Sequence, residues 1–257
     1  MSTLTTILIT RNEQENLERC LLSVFWSNEI LIVDSGSTDR TREIALAYKA
    51  RFYPEEWKGY TAQKNSALEK ASTEWILSID ADEELTLETQ RKIQEIVRTN
   101  DASIDGYFFR RKVFYLGQWI THGDWYPDNV LRLWRRGRGR FEGRQVHESV
   151  RVDGGKTMKL HEEILHYTYK DVADQERRME TYARLWAEDR RREGRRATVL
   201  DLLFRPPWRF FRGLVLKRGF LDGRLGWLIA WQCAKETAMK YRLLMLTTHD
   251  TRRNTNP

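Results

Sequence analysis

Short apolar runs alternate with helix-patterned stretches through the first half of this chain, and no other feature narrows the possible folds as far. Leu4 to Thr10, Glu29 to Val33, Arg51 to Tyr53 and Trp75 to Ile79 read as strands. Between them, Leu17, Leu21, Val24 and Phe25 recur at helical spacing, a second helix runs through about Tyr48, and a third covers about Thr61 to Ala71. Asn12, with Glu15 three residues later, suggests a capping box opening the first helix. Strands and helices alternating over short loops build an α/β fold around a doubly wound, mostly parallel sheet. After a helix at roughly Leu87 to Thr99 the pattern changes. Gly106 to Tyr115 and Val130 to Trp134 look like aromatic-rich strands, and the loop between them, Gly117 to Asn129, holds Trp119, His122, Asp124, Trp125 and Tyr126. Such aromatics either form a binding face or anchor a long loop in a core.

A chain of 257 residues fits one large domain, or a main domain with an appendage. With 40% hydrophobic residues and ten tryptophans, a packed core is expected and disorder is not. Cys20 and Cys233 make neither a CxxC nor a disulfide framework, which suits a reducing compartment. The residues before Leu4 carry no signal-peptide pattern, and no stretch approaches the roughly 18–20 apolar residues of a spanning helix. A cytoplasmic protein is the expectation. Neither GxGxxG nor GxxxxGK[ST] occurs, so a Rossmann fingerprint and a P-loop are excluded.

Charge is unevenly spread. Between Gln175 and Phe220 there are 13 Lys and Arg against 6 Asp and Glu, a balance of +7 that leaves 31 against 31 in the remainder. A long charged helix from Asp171 to Glu193 stops at Gly194. Leu202 to Phe220 then interleaves arginine with large apolar residues, and Leu225 to Leu246 forms a final helix with Trp227 and Trp231. This composition suits a segment lying on an anionic membrane surface. Packing on the body of the protein or on a second subunit is the alternative, and nucleic acid is not expected because no recognition motif accompanies the arginines.

The chemistry concentrates where the Trp75 strand ends. Asp80-Ala81-Asp82-Glu83-Glu84 places four acids in five residues, and Asp80 and Asp82 project to one side if the strand continues. Oxygen-only donors suit Mg²⁺ or Mn²⁺, and open α/β sheets collect ligands at the carboxyl ends of their strands. A solvated acidic turn opening the next helix is the bland alternative.

Four motifs in order give the chain a family likeness. They are Thr10-Arg11-Asn12-Glu13 after the first strand, Val33-Asp34-Ser35-Gly36-Ser37-Thr38-Asp39 after the second, Gln63-Lys64-Asn65-Ser66-Ala67 on a helix, and Asp80-Ala81-Asp82. The chain resembles the family 2 glycosyltransferases, inverting enzymes of the GT-A fold. It is most similar to the subgroup typified by lipopolysaccharide core β-1,4-glucosyltransferases, which shares the Asp-Ser-Gly-Ser-Thr-Asp variant, a Val-His-Glu like Val146-His147-Glu148, and a basic aromatic tail. The resemblance implies a GT-A catalytic domain over residues 1–170, with a nucleotide-binding half to about 100 and an acceptor half beyond it. A helical extension then covers 171–257.

By the same resemblance, a hexose moves from a nucleotide sugar, UDP-glucose by preference, to a lipid-linked saccharide such as the lipopolysaccharide inner core, at the inner face of the cytoplasmic membrane. Another envelope acceptor, a polyprenyl phosphate, and a nucleotidyltransferase or non-catalytic basic adaptor are the alternatives. Thr10, Asn12, Asp34, Lys64 and Asp80 would contact the donor. Asp80, Asp82 and His166, the last in Leu165-His166-Tyr167, would hold a divalent metal, Mg²⁺ or Mn²⁺. Glu148 would be the general base, with Asp124 its rival. Arg132 would face an acceptor phosphate or lie along the surface. Ser35 stands where the family has a second aspartate, and Lys64 where arginine is frequent, so a base contact is lost or moved and a bidentate fork is missing.

Overall fold

The computed structural model describes residues 2–143 and 149–253, with side chains as far as Leu246. In chain order the elements are β1 (Leu4–Thr10), α1 (Leu17–Val24), β2 (Glu29–Asp34), α2 (Thr41–Ala47), β3 (Arg51–Pro54), α3 (Tyr60–Lys70), β4 (Trp75–Ser78), β5 (Glu83–Leu85), α4 (Leu87–Thr99), β6 (Gly106–Tyr115), β7 (Gln118–Trp119), β8 (Asp128–Arg135), β9 (Gly139–Glu142), β10 (Ser149–Val152), β11 (Thr157–His166), α5 (Val172–Arg192), α6 (Val199–Phe211) and α7 (Gly223–Arg253). They form two compact units. Residues 1–112 with 128–168 make the first, and residues 113–127 with 169–257 make the second. The aromatic loop segment 113–127 thus groups with the C-terminal helices, where the sequence suggested a division near residue 170.

In the first unit the sheet runs β3-β2-β1-β4-β8-β6-β11-β5. The pairings β2/β3, β1/β2 and β1/β4 are parallel, as helical crossovers demand. From β4 to β8 and onward to β6 they turn antiparallel, and β11 pairs β5 antiparallel at the far end. The sheet is therefore mixed, its parallel half carrying the α/β alternation. Both faces are covered: Leu31, Ile32, Ile76 and Leu77 are buried to the last atom. Trp75 and Trp134 are the largest fully enclosed side chains, each side chain of that kind contributing on the order of 1.5–3 kcal/mol by burial. Helix α4 starts on Thr86, whose hydroxyl accepts the Thr89 N–H at 3.1 Å, and ends on Asn100 in the left-handed region, as its caps require.

The capping box expected at Asn12 does not form. Helix α1 begins four residues later than Glu13, at Leu17, with no side-chain cap on Asn16. Asn12 instead sits at φ 56°, a left-handed turn that Asn tolerates, and bonds a neighbouring loop.

In the second unit, Tyr115, Ile120, Ile229 and Cys233 are buried with Trp125, Tyr169 and Leu225 packed against them. Trp125 meets Tyr115 edge-on at 5.2 Å between ring centroids. The aromatic loop is therefore an anchor for this unit's own core. Helix α6 has a Thr198–Asp201 capping box and passes through Pro206 and Pro207, in the stretch where arginine and large apolar residues interleave. A π-helical turn, Arg212–Leu216, and a short 3₁₀ turn, Gly219–Asp222, lead into α7. No described helix is long and apolar enough to cross a membrane.

Candidate active site

The site residues of the first unit come from the carboxyl ends of β1, β2 and β4. Thr10 closes β1 and donates its hydroxyl to Asp34 at the end of β2, at 2.8 Å. Asp34 is buried and also accepts the N–H groups of Gly36 (3.0 Å) and Ser37 (2.8 Å) and the Ser37 hydroxyl. Four donors thus close the turn after β2 upon one carboxylate. Asn12 joins the two loops, its Oδ1 accepting the Thr38 N–H at 2.8 Å while its own N–H donates to Ser37 Oγ at 2.8 Å. Within this frame Ser35 Oγ is buried with no hydrogen-bond partner among the described residues.

Strand β4 ends at Ser78, so the two-residue period is broken before it can bring Asp80 and Asp82 to one side. Asp80 turns to two cations: Lys64 Nζ lies 2.9 Å from Oδ1 and Arg132 Nη2 lies 2.6 Å from Oδ2. Arg132 also donates to Glu83, which is fully buried, accepts the Asp80 N–H at 3.0 Å and lies 3.5 Å from Arg111. Arg111 in turn pairs with Asp128 at 2.7 Å. Arg132 is thus no surface arginine. It stands in a strand whose neighbours Leu131, Leu133 and Trp134 are all buried, where a charge persists only if paired. That context was the available signal for Arg132. Glu83 carried a weaker one, since it read as the start of a solvated turn and forms β5 instead.

Burial would raise the Asp80 carboxyl, but the Arg132 guanidinium and Lys64 ammonium outweigh it and hold the group well below the usual carboxylate range. A carboxylate lowered in this way contributes stability that is complete above its unfolded value of about 4 and is lost as pH falls through the folded value. The stability difference between the wild-type protein and Asp80→Asn should therefore be widest above about pH 4 and should narrow on descent. Urea midpoints across that range test this. Parallel curves would show that Asp80 ionisation is not linked to folding.

Asp82 faces a different partner. The antiparallel register sets His166 opposite Glu83, the Tyr167 N–H bonds the Asp82 carbonyl at 2.9 Å, and His166 Nε2 comes 3.3 Å from Asp82 Oδ2. The other ring nitrogen, Nδ1, is buried without a hydrogen-bond partner among the described residues. No three His, Cys, Asp or Glu side chains gather into a metal cage among the described residues. The Asp82 carboxylate nonetheless suits Mg²⁺ or Mn²⁺, which are commonly held through one or two carboxylates and complete their shell with substrate phosphate and water, and the neighbouring His166 nitrogen is a softer donor that Mg²⁺ takes less readily.

Glu148 lies outside the described residues. Asp124, its rival, belongs to the second unit. There its carboxylate is buried under Arg209 (2.9 Å), Arg212 (2.7 Å) and Lys217 (3.2 Å), so its oxygens are already engaged by three cations.

Comparison with known proteins follows this geometry. A lipopolysaccharide core biosynthesis glycosyltransferase, LpsC, of Rhizobium meliloti (strain 1021) is 31% identical over 93% of this chain and 93% of its own. A glycosyltransferase of Rickettsia felis is 29% identical over 87% of this chain and 82% of its own. Among solved structures, S. aureus TarS 1–349 covers 97% of this chain and 92% of its own at 14% identity and a TM-score of 0.46. The glucosyl-3-phosphoglycerate synthase of Mycobacterium tuberculosis, solved with Mn²⁺, UDP and glucosyl-3-phosphoglycerate, covers 45% of each chain at 24% identity and a TM-score of 0.35. The family description "Glycosyl transferase family 2" matches residues 5–180, a span that contains the loops of Thr10 and Asp34, Lys64 on α3 and the Asp80–Asp82 turn. The chain belongs to glycosyl transferase family 2 and is a nucleotide-sugar-dependent glycosyltransferase.

Proposed function

We propose that this enzyme moves a hexose, glucose by preference, from UDP-glucose to a lipid-linked saccharide of the lipopolysaccharide core, with inversion and with a divalent cation, Mg²⁺ or Mn²⁺. The observation that carries the proposal is the division of labour between two neighbouring aspartates. Asp80 has its charge met by Lys64 and Arg132, whereas Asp82, beside His166, has no Lys or Arg paired with it among the described residues. Asp82 and His166 would hold the metal, with Asp80 on its donor side, and the bound ion would neutralise the departing diphosphate as a Lewis acid. Thr10, Asn12 and Asp34 shape the nucleotide pocket, and Ser35 stands there in place of the family's second carboxylate. Lys64 orients Asp80 and adds positive potential for the diphosphate. Glu148 would take the acceptor proton from the face of the sugar opposite the leaving group.

The core acceptor is supported by the Rhizobium relative, a lipopolysaccharide core biosynthesis glycosyltransferase that matches over 93% of both chains. A lipid-linked acceptor also fits the second unit, which exposes Phe204, Trp208, Phe211 and Trp231 on helices rich in arginine. These residues suit peripheral attachment at the inner face of the cytoplasmic membrane.

The assignment is tested with Asp82→Asn, which keeps side-chain volume and removes the charge that a hard cation needs. Mn²⁺-dependent affinity for UDP should fall on the order of tenfold or more, about 1.4 kcal/mol per decade, while thermal stability changes little. Calorimetric titration of UDP with Mn²⁺ and with a chelator reads this directly. Equal affinities in the variant and the wild type would remove Asp82 from the metal site.

A further inference from the structure

We propose that Arg209, Arg212 and Lys217, gathered on the buried carboxylate of Asp124, form a built seat for the phosphate of an anionic membrane lipid. The proposal rests on the peripheral-membrane reading above and names the headgroup chemistry that anchors it. Asp124 is 1% exposed, while the three cations on it are 37%, 33% and 44% exposed. One carboxylate satisfies one cation, and the cluster therefore keeps a formal surplus of two positive charges. Like charges about 4 Å apart repel by roughly 4 kcal/mol at an effective dielectric of 20, so packing alone gives no reason to collect three. Glu236, the acid next along α7, is engaged with Lys240, and the buried Asp222 accepts from Thr121 and His122.

The donors have capacity to spare. Each guanidinium presents five N–H groups and the ammonium three, against two oxygens on Asp124. Arg212 Nε is buried with no hydrogen-bond partner among the described residues. Phosphate oxygens are the acceptors that such a mixed Arg and Lys set fits best.

The scaffold beneath is closely packed. A Cβ on Gly213 would lie 3.0 Å from Asp124 Oδ2, one on Gly219 would lie 2.7 Å from the Gly213 carbonyl oxygen, and one on Gly226 would lie 1.7 Å from that of Gly219. The last two approaches, both to backbone oxygens, are closer than any Cβ allows, so only glycine fits at 219 and 226. The Gly123 N–H ties the loop to the Lys217 carbonyl at 3.0 Å. The three cations thereby stand around the π-helical turn Arg212–Leu216, each within ion-pair distance of Asp124.

A lipid, and no free phosphate, is indicated by what flanks the seat. On a helical projection Arg212 falls about 40° from Trp208, at the edge of an arc that holds Phe204, Trp208 and Phe211. Those three are 68%, 56% and 46% exposed, and α6 has no buried residue. An apolar face bordered by cations matches a molecule whose phosphate is joined to acyl chains.

The test uses the full chain and dihexanoyl phosphatidic acid below its micellar concentration, titrated by tryptophan fluorescence. Dihexanoyl phosphatidylcholine and glycerol 3-phosphate serve as comparators. Saturable binding of the acidic lipid is expected, weakened about tenfold by Arg212→Gln and about threefold or more by Lys217→Gln. The triple exchange Arg192→Gln, Arg195→Gln, Arg196→Gln, at the exposed end of α5, should change it less than about twofold. Each variant is carried forward only with a wild-type melting temperature, and Lys217→Gln, on the most exposed cation, guards against misfolding at Arg212. Equal weakening by the α5 triple exchange would mean diffuse charge attraction and overturn the seat. Equal affinity for glycerol 3-phosphate would replace the lipid with a soluble phosphate ester and overturn the lipid assignment. Failure to saturate, with acidic vesicles still sedimenting the protein, would overturn the seat and leave the membrane reading standing. Binding to neither short-chain lipid nor vesicles would end both.

Discussion

Replacing Arg132 with methionine should cost this protein about 3–5 kcal/mol of stability at neutral pH. The guanidinium is enclosed, and it bridges Asp80 and the fully buried Glu83. Methionine fills much of the volume and supplies none of the charge, so two carboxylates would remain in a low-dielectric environment with Lys64 and Arg111 as their nearest cations. The sign of the pH dependence distinguishes this cause from lost packing. Removing the cation raises the pKa of Asp80, which the cation had lowered. The deficit should therefore be largest at neutral pH and shrink on acidification, because Asp80 in the variant takes up its proton at a higher pH than Asp80 in the wild type. Urea unfolding of Arg132→Met and wild type at neutral and acid pH measures both quantities. A loss under about 1 kcal/mol at neutral pH would show that the Glu83 pocket finds another cation.

Glu148→Gln should lower sugar transfer by a factor on the order of 10²–10⁴, the usual contribution of a positioned general base. Donor binding should survive within about twofold, because the amide removes a proton acceptor on the acceptor side and leaves the Asp82 side intact. The expectation rests on the motif Val146-His147-Glu148 and on the family to which the chain belongs. Activity within a few-fold of wild type would place the base elsewhere. Asp124 would not be the next choice, since three cations already hold it. Single-turnover transfer alongside UDP-glucose titration separates the two effects.

How much of this was legible in the residues depended on the period. Strand β1, helix α4 and strand β6 have the bounds that the sequence suggested, because each is a long apolar-periodic segment with clear terminators. The parallel half of the sheet was readable for the same reason. The antiparallel half was less so, because β4/β8 pairing joins segments far apart in the chain and leaves no local mark. Asp80 and Asp82 were found as a pair, yet their orientations were not. The rule that puts residues two apart on one side ends with the strand, and β4 ends at Ser78. Arg132 was misjudged because alternation describes a strand with one wet face, and β8 is covered on both. Helix α6 falls within the helical extension that the sequence suggested, but its bounds were not legible there, and Pro206 and Pro207, lacking N–H groups, are unusual in a helix interior. Its Thr198–Asp201 capping box was a signal pointing the other way.

The turn closed on Asp34 has a consequence for timing. Its carboxylate is filled by Thr10, Gly36 and Ser37, and Asn12 clasps the neighbouring loop, all through groups of the chain itself. Ordering a residue costs about 1–2 kcal/mol of backbone entropy, and here that ordering belongs to folding and not to ligand capture. In the proposed site, a nucleotide sugar would meet a finished surface. Its association should proceed as a single collision-controlled phase, without the slow second phase that marks a loop closing after contact. Discrimination between donors would then be expressed in how long each one stays.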